Sequence, residues 1–486
     1  MLKQNAQMWR GVLICFFLSA CSKPNPESCA DGSCTDPAFP FCDSDGSVAG
    51  TPDKCIAVSC TASQFETCRG DDAIVCNAEG TNFDLVRCEL GCVDPIGCRD
   101  CASNANCTGT TPVCDSETSS CRRCNDDSEC ASKVCDLETG RCLAESSVVY
   151  TSPQAVDNAS CSLTQPCTLG TAVNRALSNP LRSTVLMLPG EYRGNLSIIN
   201  GSITIVGPGA FLEGETTGDV LRVGNGANVT VRGVDFDLLS GHLICDPNGG
   251  SQRPTMSLQN VVVHGSSANH LRIAACTAFI RSSEFRTTGA YLLAAIRFGA
   301  AVEIDRTRFK STVDNASVVM SPLIDLMGTA GPALSARITN SVFEDVSVQG
   351  IFGDNPIPST VRIAFNTLVI QAPNNTSAAL ICTNTGNASY VVENNVVFRN
   401  GQDAIVGSGC ALNRNVIFLQ TTALPGTNIF DDPRMVDVAN RDFRLRMDSP
   451  ARDAAVPSSV DTAHDFNGLA RPQGTAKDVG AFEFTP

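Results

Sequence analysis

"TNSVF" (339–343), "FNTLV" (365–369), "ENNVV" (393–397) and "NRNVI" (413–417) decide the fold of this chain. Each joins an Asn-bearing turn to a short β-branched run that closes on a large apolar residue. The same phrase occurs upstream as "GPGAF" (207–211), "RGVDF" (232–236), "QNVVV" (259–263), "RSSEF" (281–285) and "DRTRF" (305–309). The closing residues fall at 211, 236, 263, 285, 309, 343, 369, 397 and 417, so the spacing runs from 20 to 34 residues. An irregular repeat of that length, rich in β-branched residues and Gly/Asn turns, is what a parallel β-helix requires. A β-sandwich would bring strands roughly every 8–12 residues, with no apolar anchor in register.

The expected fold is therefore all-β, a right-handed parallel β-helix of about nine or more coils, each built from three short strands. Phe211, Phe236, Phe285, Phe309 and Phe343 should point inward and stack on their neighbours. Asn260, Asn340, Asn366 and Asn394 fit the tight bend, because Asn tolerates left-handed backbone angles at low cost. "TLGTAVNRALSN" (168–179) places Leu169, Val173, Ala176 and Leu177 at helical spacing, and Pro180 stops it. This short helix should cap the first open edge, with Cys161 and Cys167 closing the loop before it.

Four cysteines test the coil alignment. Cys276 lies three residues further along its coil than Cys245, and Cys410 has the same offset from Cys382. Neighbouring coils about 4.8 Å apart bring such pairs within the roughly 4.4–6.8 Å that disulfides need between Cα atoms. The alignment predicts Cys245–Cys276 and Cys382–Cys410.

The N-terminal part is a different kind of chain. Residues 1–20 carry Lys3 and Arg10 and then an apolar run from Gly11 to Ala20, too short to span a bilayer. This is the pattern of an export signal, and export makes cysteines readable as disulfides. Of 26 cysteines, Cys15 leaves with the signal, so an odd number remains and one needs another fate. Leu18-Ser19-Ala20-Cys21 resembles the lipobox of bacterial lipoproteins. The resemblance implies a lipid on Cys21, a membrane partner through that anchor, and residues 21–28 as a tether. Ser22 after the anchor resembles the outer-membrane sorting class, so the expected location is the bacterial outer membrane or cell surface. The alternative is ordinary cleavage near Ala20, with Cys21 a thiol or a disulfide partner.

Residues 29–142 hold 18 cysteines, 20 acidic and 8 basic residues, which is a disulfide scaffold by composition. "CASNANCTGTTPVCDSETSSC" (101–121) and "CNDDSECASKVCDLETGRC" (124–142) are copies of one module, and "CADGSCTDPAFPFCDSDG" (29–46) is a looser copy. Zinc is disfavoured by the wide cysteine spacing and by the absence of histidine before residue 242. "CDSDGS" (42–47) lacks the downstream ligands of a calcium loop and reads as a turn. The segment 29–145 resembles the small cysteine-rich modules that precede larger domains in bacterial surface lipoproteins.

Residues from about 148 to 484 resemble bacterial β-helix proteins of the choice-of-anchor Q type. The tail carries the likeness, in "DDPRMVDVANRDFRLRMDSPARDAA" (431–455) and "HDFNGLARPQGTAKDVGAFEF" (464–484). On this reading 146–430 is the β-helix and 431–486 supplies C-terminal coils and a cap. The resemblance speaks to architecture and only weakly to activity.

Parallel β-helices often act on or bind polysaccharide, which would place specific ionisable residues on their coils. Lyase chemistry needs calcium-bound carboxylates with an Arg or Lys base, and glycoside hydrolysis needs carboxylates meeting on adjacent coils. Asp235, Asp237, Glu284, Glu303, Asp305, Glu344 and Asp345 form no doublet at matching offsets, so no catalytic residue, metal ligand or cofactor is assigned. His264 and His270 share one loop and read as solvated turn residues. The notable cluster is basic: Arg306, Arg308 and Lys310 alternate along one strand and should share its outer face, facing an acidic glycan. A formal charge of −15 argues against nucleic acid as a partner. Sugar-stacking platforms are scarce, since Trp9 is the only tryptophan and only four tyrosines exist. These features point to a lipid-anchored surface protein with a non-catalytic binding or structural role, toward polysaccharide or another envelope protein. The alternative is a polysaccharide lyase or glycoside hydrolase.

Overall fold

The computed structural model describes residues 28–29, 32–158, 160–215, 218–239, 241–247, 249–265, 269–288, 292–297, 299–312, 316–320, 333–352, 358–371, 377–384, 388–460 and 462–485. They form two compact units, one of residues up to 142 apart from Ala131–Val134, the other of Ala131–Val134 with Leu143–Pro486.

The larger unit is an all-β parallel solenoid. One coil consists of Thr255–Gln259, Val262–Gly265 and Asn269–Ile273, and the next coil repeats it as Thr277–Arg281, Glu284–Thr287 and Leu292–Ile296. The first two strands of successive coils make a 19-stranded sheet that bends once per coil, and the third strands make a nine-stranded sheet. The bend lies at a left-handed residue: Asn260 (φ 51°), Ser282 (51°), Arg306 (49°), Asn340 (47°), Phe365 (58°), Asn394 (56°) and Arg414 (55°). Position dictates this backbone, since Asn, Ser, Arg and Phe all adopt it although only Asn does so cheaply.

Inside the coils one column runs through Leu212, Phe236, Val263, Phe285, Phe309, Phe343, Leu368, Val397 and Ile417. Phe285, Phe309 and Phe343 stack with centroids 5.2 and 5.1 Å apart. Two expected anchors move by one place. Gly207–Gly209 sit opposite Gly233 alone, and this bulge turns Phe211 outward beside Asp235 and Leu212 inward. Leu368 takes the place expected of Val369, because the bend falls at Phe365 rather than Asn366.

Asn366 instead belongs to a buried ladder that the repeat does not announce. Its Oδ1 accepts the Ser341 N–H (2.9 Å), and its own N–H donates to Asn395 Oδ1 (2.9 Å). Asn395 N–H donates to Asn415 Oδ1 (3.0 Å) and Asn415 N–H to Asn428 Oδ1 (3.1 Å). Here each side chain takes over one inter-coil bond just past the bend, where the backbone cannot make it.

The helix Leu169–Ser178, N-capped by Thr168, lays Ala172, Val173 and Ala176 over the first coil's interior. Cys161 and Cys167 are bridged just before it. At the other end the expected C-terminal coils do not form: residues 431–485 add no strand to either sheet among the described residues. Met435–Asp437 and Asp442–Leu445 pair as an antiparallel hairpin, and the tail packs on the outside of the solenoid over Val342, Val369, Val396 and Val416. Gly480 (φ 99°) makes the approach possible, since a Cβ there would lie 2.8 Å from Val396 Cγ2. Arg471 ties the tail together, bonding Glu483 Oε1 (2.6 Å) and the Gly480 carbonyl (2.7 Å), and its buried guanidinium sits 5.1 Å from the Phe365 ring of the solenoid.

The cysteine-rich unit is held by nine disulfides, and its three module copies share one connectivity. First joins third and second joins fourth: Cys29–Cys42 and Cys34–Cys55, Cys101–Cys114 and Cys107–Cys121, Cys124–Cys135 and Cys130–Cys142. In each copy the third and fourth cysteines face each other across a short hairpin, as Cys114 faces Cys121. Between the copies, Cys60–Cys76, Cys68–Cys92 and Cys88–Cys98 staple a three-stranded sheet. The Asp43 carboxylate of "CDSDGS" accepts the N–H groups of Val48 (3.2 Å) and Ala49 (2.6 Å), so it closes a turn. Twelve disulfides among the described residues mark a protein that folds in an oxidising, exported setting. No described helix is long and apolar enough to cross a membrane.

Candidate functional site

The residues just before and just after each buried anchor point outward. On five successive coils these positions hold Asp235 and Asp237, Val262 and His264, Glu284 and Arg286, Arg308 and Lys310, then Val342 and Glu344. Hence Asp237, His264, Arg286, Lys310 and Glu344 form one ionisable column along the second strands. A search for acidic doublets misses it. The signal that finds it is the residue following each anchor.

Two clefts lie along this column and meet at Lys310 and Thr312. One, of about 360 Å³, is lined by Asp237, His264, Arg286 and Lys310. The other, of about 860 Å³, runs from Lys310 past Asp345, Gln371, Phe398 and Asn400 to Arg441 of the tail hairpin. Together they make a groove crossing the coils, with three cations against two carboxylates in its lining. Phe398 adds an aromatic surface, stacked on Phe418 at 4.9 Å.

Charges in the groove are held in place by partners. Arg286 grips Glu284 with two bonds of 2.5 and 2.9 Å, which raises the guanidinium pKa. Burial disfavours the Glu284 charge, but Arg286, Arg308 and Lys310 outweigh it and hold that carboxyl below its ordinary value. Glu344 shows the opposite balance. It is fully buried, and burial raises its pKa despite Arg308 (3.2 Å), Lys310 (3.8 Å) and Arg441 (4.0 Å). Arg441 is committed chiefly to Asp345, at 2.7 Å.

The three cations expected on one face are divided by the structure. Arg306 occupies the left-handed bend and lines a different cleft, next to Asp305. Arg308 is on the strand Arg308–Ser311 but turns to Glu344, with the Phe466 ring of the tail 5.5 Å from its guanidinium carbon. Only Lys310 faces the groove. Thr307 and Phe309 are buried inside.

The histidines also separate. His264 is half-buried on the groove wall, whereas His270 is fully buried, not solvated. Burial pushes the His270 pKa down to about 4, helped by His242 and His264 and partly opposed by the Gly265 backbone. The cysteines at 245 and 276 are bridged with Cα atoms 5.9 Å apart, and those at 382 and 410 with 5.8 Å. Three groups of cysteine sulfurs cluster in the stapled unit, such as Cys101, Cys107 and Cys121. All belong to neighbouring disulfides and so offer no thiolate to a metal. Cys21 lies outside the described residues.

No family model matches this chain, and no curated protein matches its sequence. Among solved structures it is similar to one described as the crystal structure of pectate lyase Pel9A, at 15% identity and a TM-score of 0.36. The match covers 70% of this chain and 100% of that one. At that level it carries no argument about activity, and the groove must be read from its own side chains.

Proposed function

We propose that this chain is an exported envelope-surface protein whose solenoid binds an acidic polysaccharide along the groove without cleaving it. The observation that carries this reading is the groove itself, in which Arg286 and Lys310 of successive coils are joined by Arg441 of the tail hairpin. The solenoid repeat of about 4.8 Å is close to the length of one pyranose unit, so an extended glycan meets equivalent positions coil after coil. Guanidinium and ammonium groups take the carboxylates, amides such as Gln371 and Asn400 take hydroxyls, and Phe398 offers its face to a sugar ring. In a chain of net charge −15, such a local cluster gives selectivity by placement rather than by bulk attraction.

Lipid attachment at Cys21 belongs to the same proposal. All 24 cysteines from Cys29 onward are paired among themselves, which leaves Cys21 without a partner from that set and supports the lipobox reading. Mass spectrometry of the membrane-extracted protein tests it, since a diacylated N-terminal cysteine is expected.

The binding reading is tested by incubating the protein with polygalacturonate and following co-sedimentation together with absorbance of unsaturated uronates. Co-sedimentation without absorbance growth is the expected result. Growth of absorbance would establish lyase chemistry instead, and neither signal would remove the groove as a glycan site.

A further inference from the structure

We propose that a second cleft, on the outer face of the first strands, binds a single sugar acid, a small ligand carrying both a carboxylate and hydroxyls. This cleft of about 270 Å³ is walled by three successive coils and by Thr462–His464 of the tail. It shares no lining residue with the groove, so the inference does not rest on the polysaccharide reading.

Its lining has the two halves of such a ligand's chemistry. Arg281, Arg306 and Arg337 converge on it, three guanidiniums against the carboxylates of Glu303 and Asp305. Asp305 is taken up by Arg306 (3.1 Å), Thr339 Oγ1 (2.8 Å) and Asn340 Nδ2 (2.9 Å). Glu303 stands 3.6 Å from Arg281 and leaves guanidinium donors over for an incoming anion, which Arg recognises through its planar fork.

The second half is the pair Asn340 and Thr462, only 3% and 4% exposed. Asn340 Oδ1 and Thr462 Oγ1 have no hydrogen-bond partner, a costly state for buried polar atoms. The Asn340 oxygen can only accept, so it calls for a donor. Sulfate has none to give, whereas a sugar hydroxyl does. A hydroxy acid satisfies the guanidiniums and the acceptor together, and the cleft volume suits one pyranose rather than a chain.

The test is calorimetric titration of the whole protein with D-galacturonate, D-glucuronate and inorganic sulfate. Either uronate should bind, and sulfate should bind at least tenfold more weakly. Arg281→Ser with Arg337→Ser should weaken uronate binding by at least tenfold, while Arg193→Ser, exposed and lining neither the cleft nor the groove, should leave it unchanged. Glu303→Gln, which removes a competing charge, should tighten binding about three- to tenfold, a gain that misfolding cannot imitate. The inference is overturned if neither uronate binds, if sulfate binds equally well, or if Glu303→Gln fails to tighten binding. The groove reading is scored separately, by polymer co-sedimentation.

Discussion

Arg308 Nε lies 3.2 Å from Glu344 Oε1, and the Glu344 side chain is wholly withdrawn from solvent. An arginine that the strand alternation assigns to solvent thus serves to neutralise a buried acid. Arg308→Ser should cost about 1–3 kcal/mol, moderated because Lys310 and Arg441 remain near Glu344. Glu344→Gln should restore part of that loss in the double variant. Urea unfolding measures both, and an Arg308→Ser protein as stable as wild type would refute the assignment.

The asparagine ladder should be the most sensitive element of the solenoid's C-terminal half. The Asn395 amide donates to the carbonyls of Ile363 and Glu393 (both 2.9 Å) and accepts from Asn366. Asn395→Ala strands all of these groups, so a loss of about 2–4 kcal/mol is expected in chemical denaturation. Asn394→Gly, one residue away at the left-handed bend, keeps the backbone angle and loses only the two bonds to Val456, so a smaller loss of about 1–2 kcal/mol is expected in the same denaturation.

Acid should weaken the solenoid through His270. Its folded-state pKa of about 4 lies below the ordinary 6.5, so the folded protein resists the proton. The stabilising share is complete above pH ~6.5 and is lost as pH falls toward 4, amounting to about 3 kcal/mol at most. Asp478 acts in the opposite sense. Burial lifts its pKa to about 6, so its share is present below pH ~4 and is lost as pH rises through 6. In thermal melts from pH 7 to 4, His270→Leu should gain relative to wild type as the pH drops. Parallel curves would contradict the assignment.

The tail should behave as a lock. Arg471→Met leaves the Glu483 carboxylate buried without its cation and the Asp478 carbonyl without its donor, at a cost of about 3–5 kcal/mol. Undocking would bare Val342, Val396 and Val416. Enhanced proteolysis within 431–485 and new binding of a hydrophobic dye are the expected readouts, and neither should appear in Arg452→Ser.

Much of the solenoid is legible along the chain because its contacts are local in a particular sense: each coil pairs with the next, some 20–34 residues on. That regularity exposed the inward column at Phe236, Phe285, Phe309 and Phe343, three of the bends, and the three-residue offset between Cys245 and Cys276. It slipped at Phe211, where a glycine bulge inserts residues, and at Val369, where a phenylalanine takes the bend. The ionisable column from Asp237 to Glu344 was equally legible, one place after each anchor, but needs the register to be recognised as a surface.

The sequence by itself determined a parallel solenoid, a cysteine-stapled segment before it and the spacing of the coils, because a repeated pattern of burial has only one way to stack. Tertiary structure alone decided the fate of the charged residues. Arg441 and Phe466 lie roughly a hundred residues or more beyond the strands they cover, and no periodicity records where the tail returns. Its docking partly covers Arg308 beside the buried Glu344, leaves Lys310 in the groove, and walls the Arg306 cleft with Thr462. Three neighbouring cations of similar chemistry thereby enter three different environments, since burial and partner charge are set by whatever packs against them.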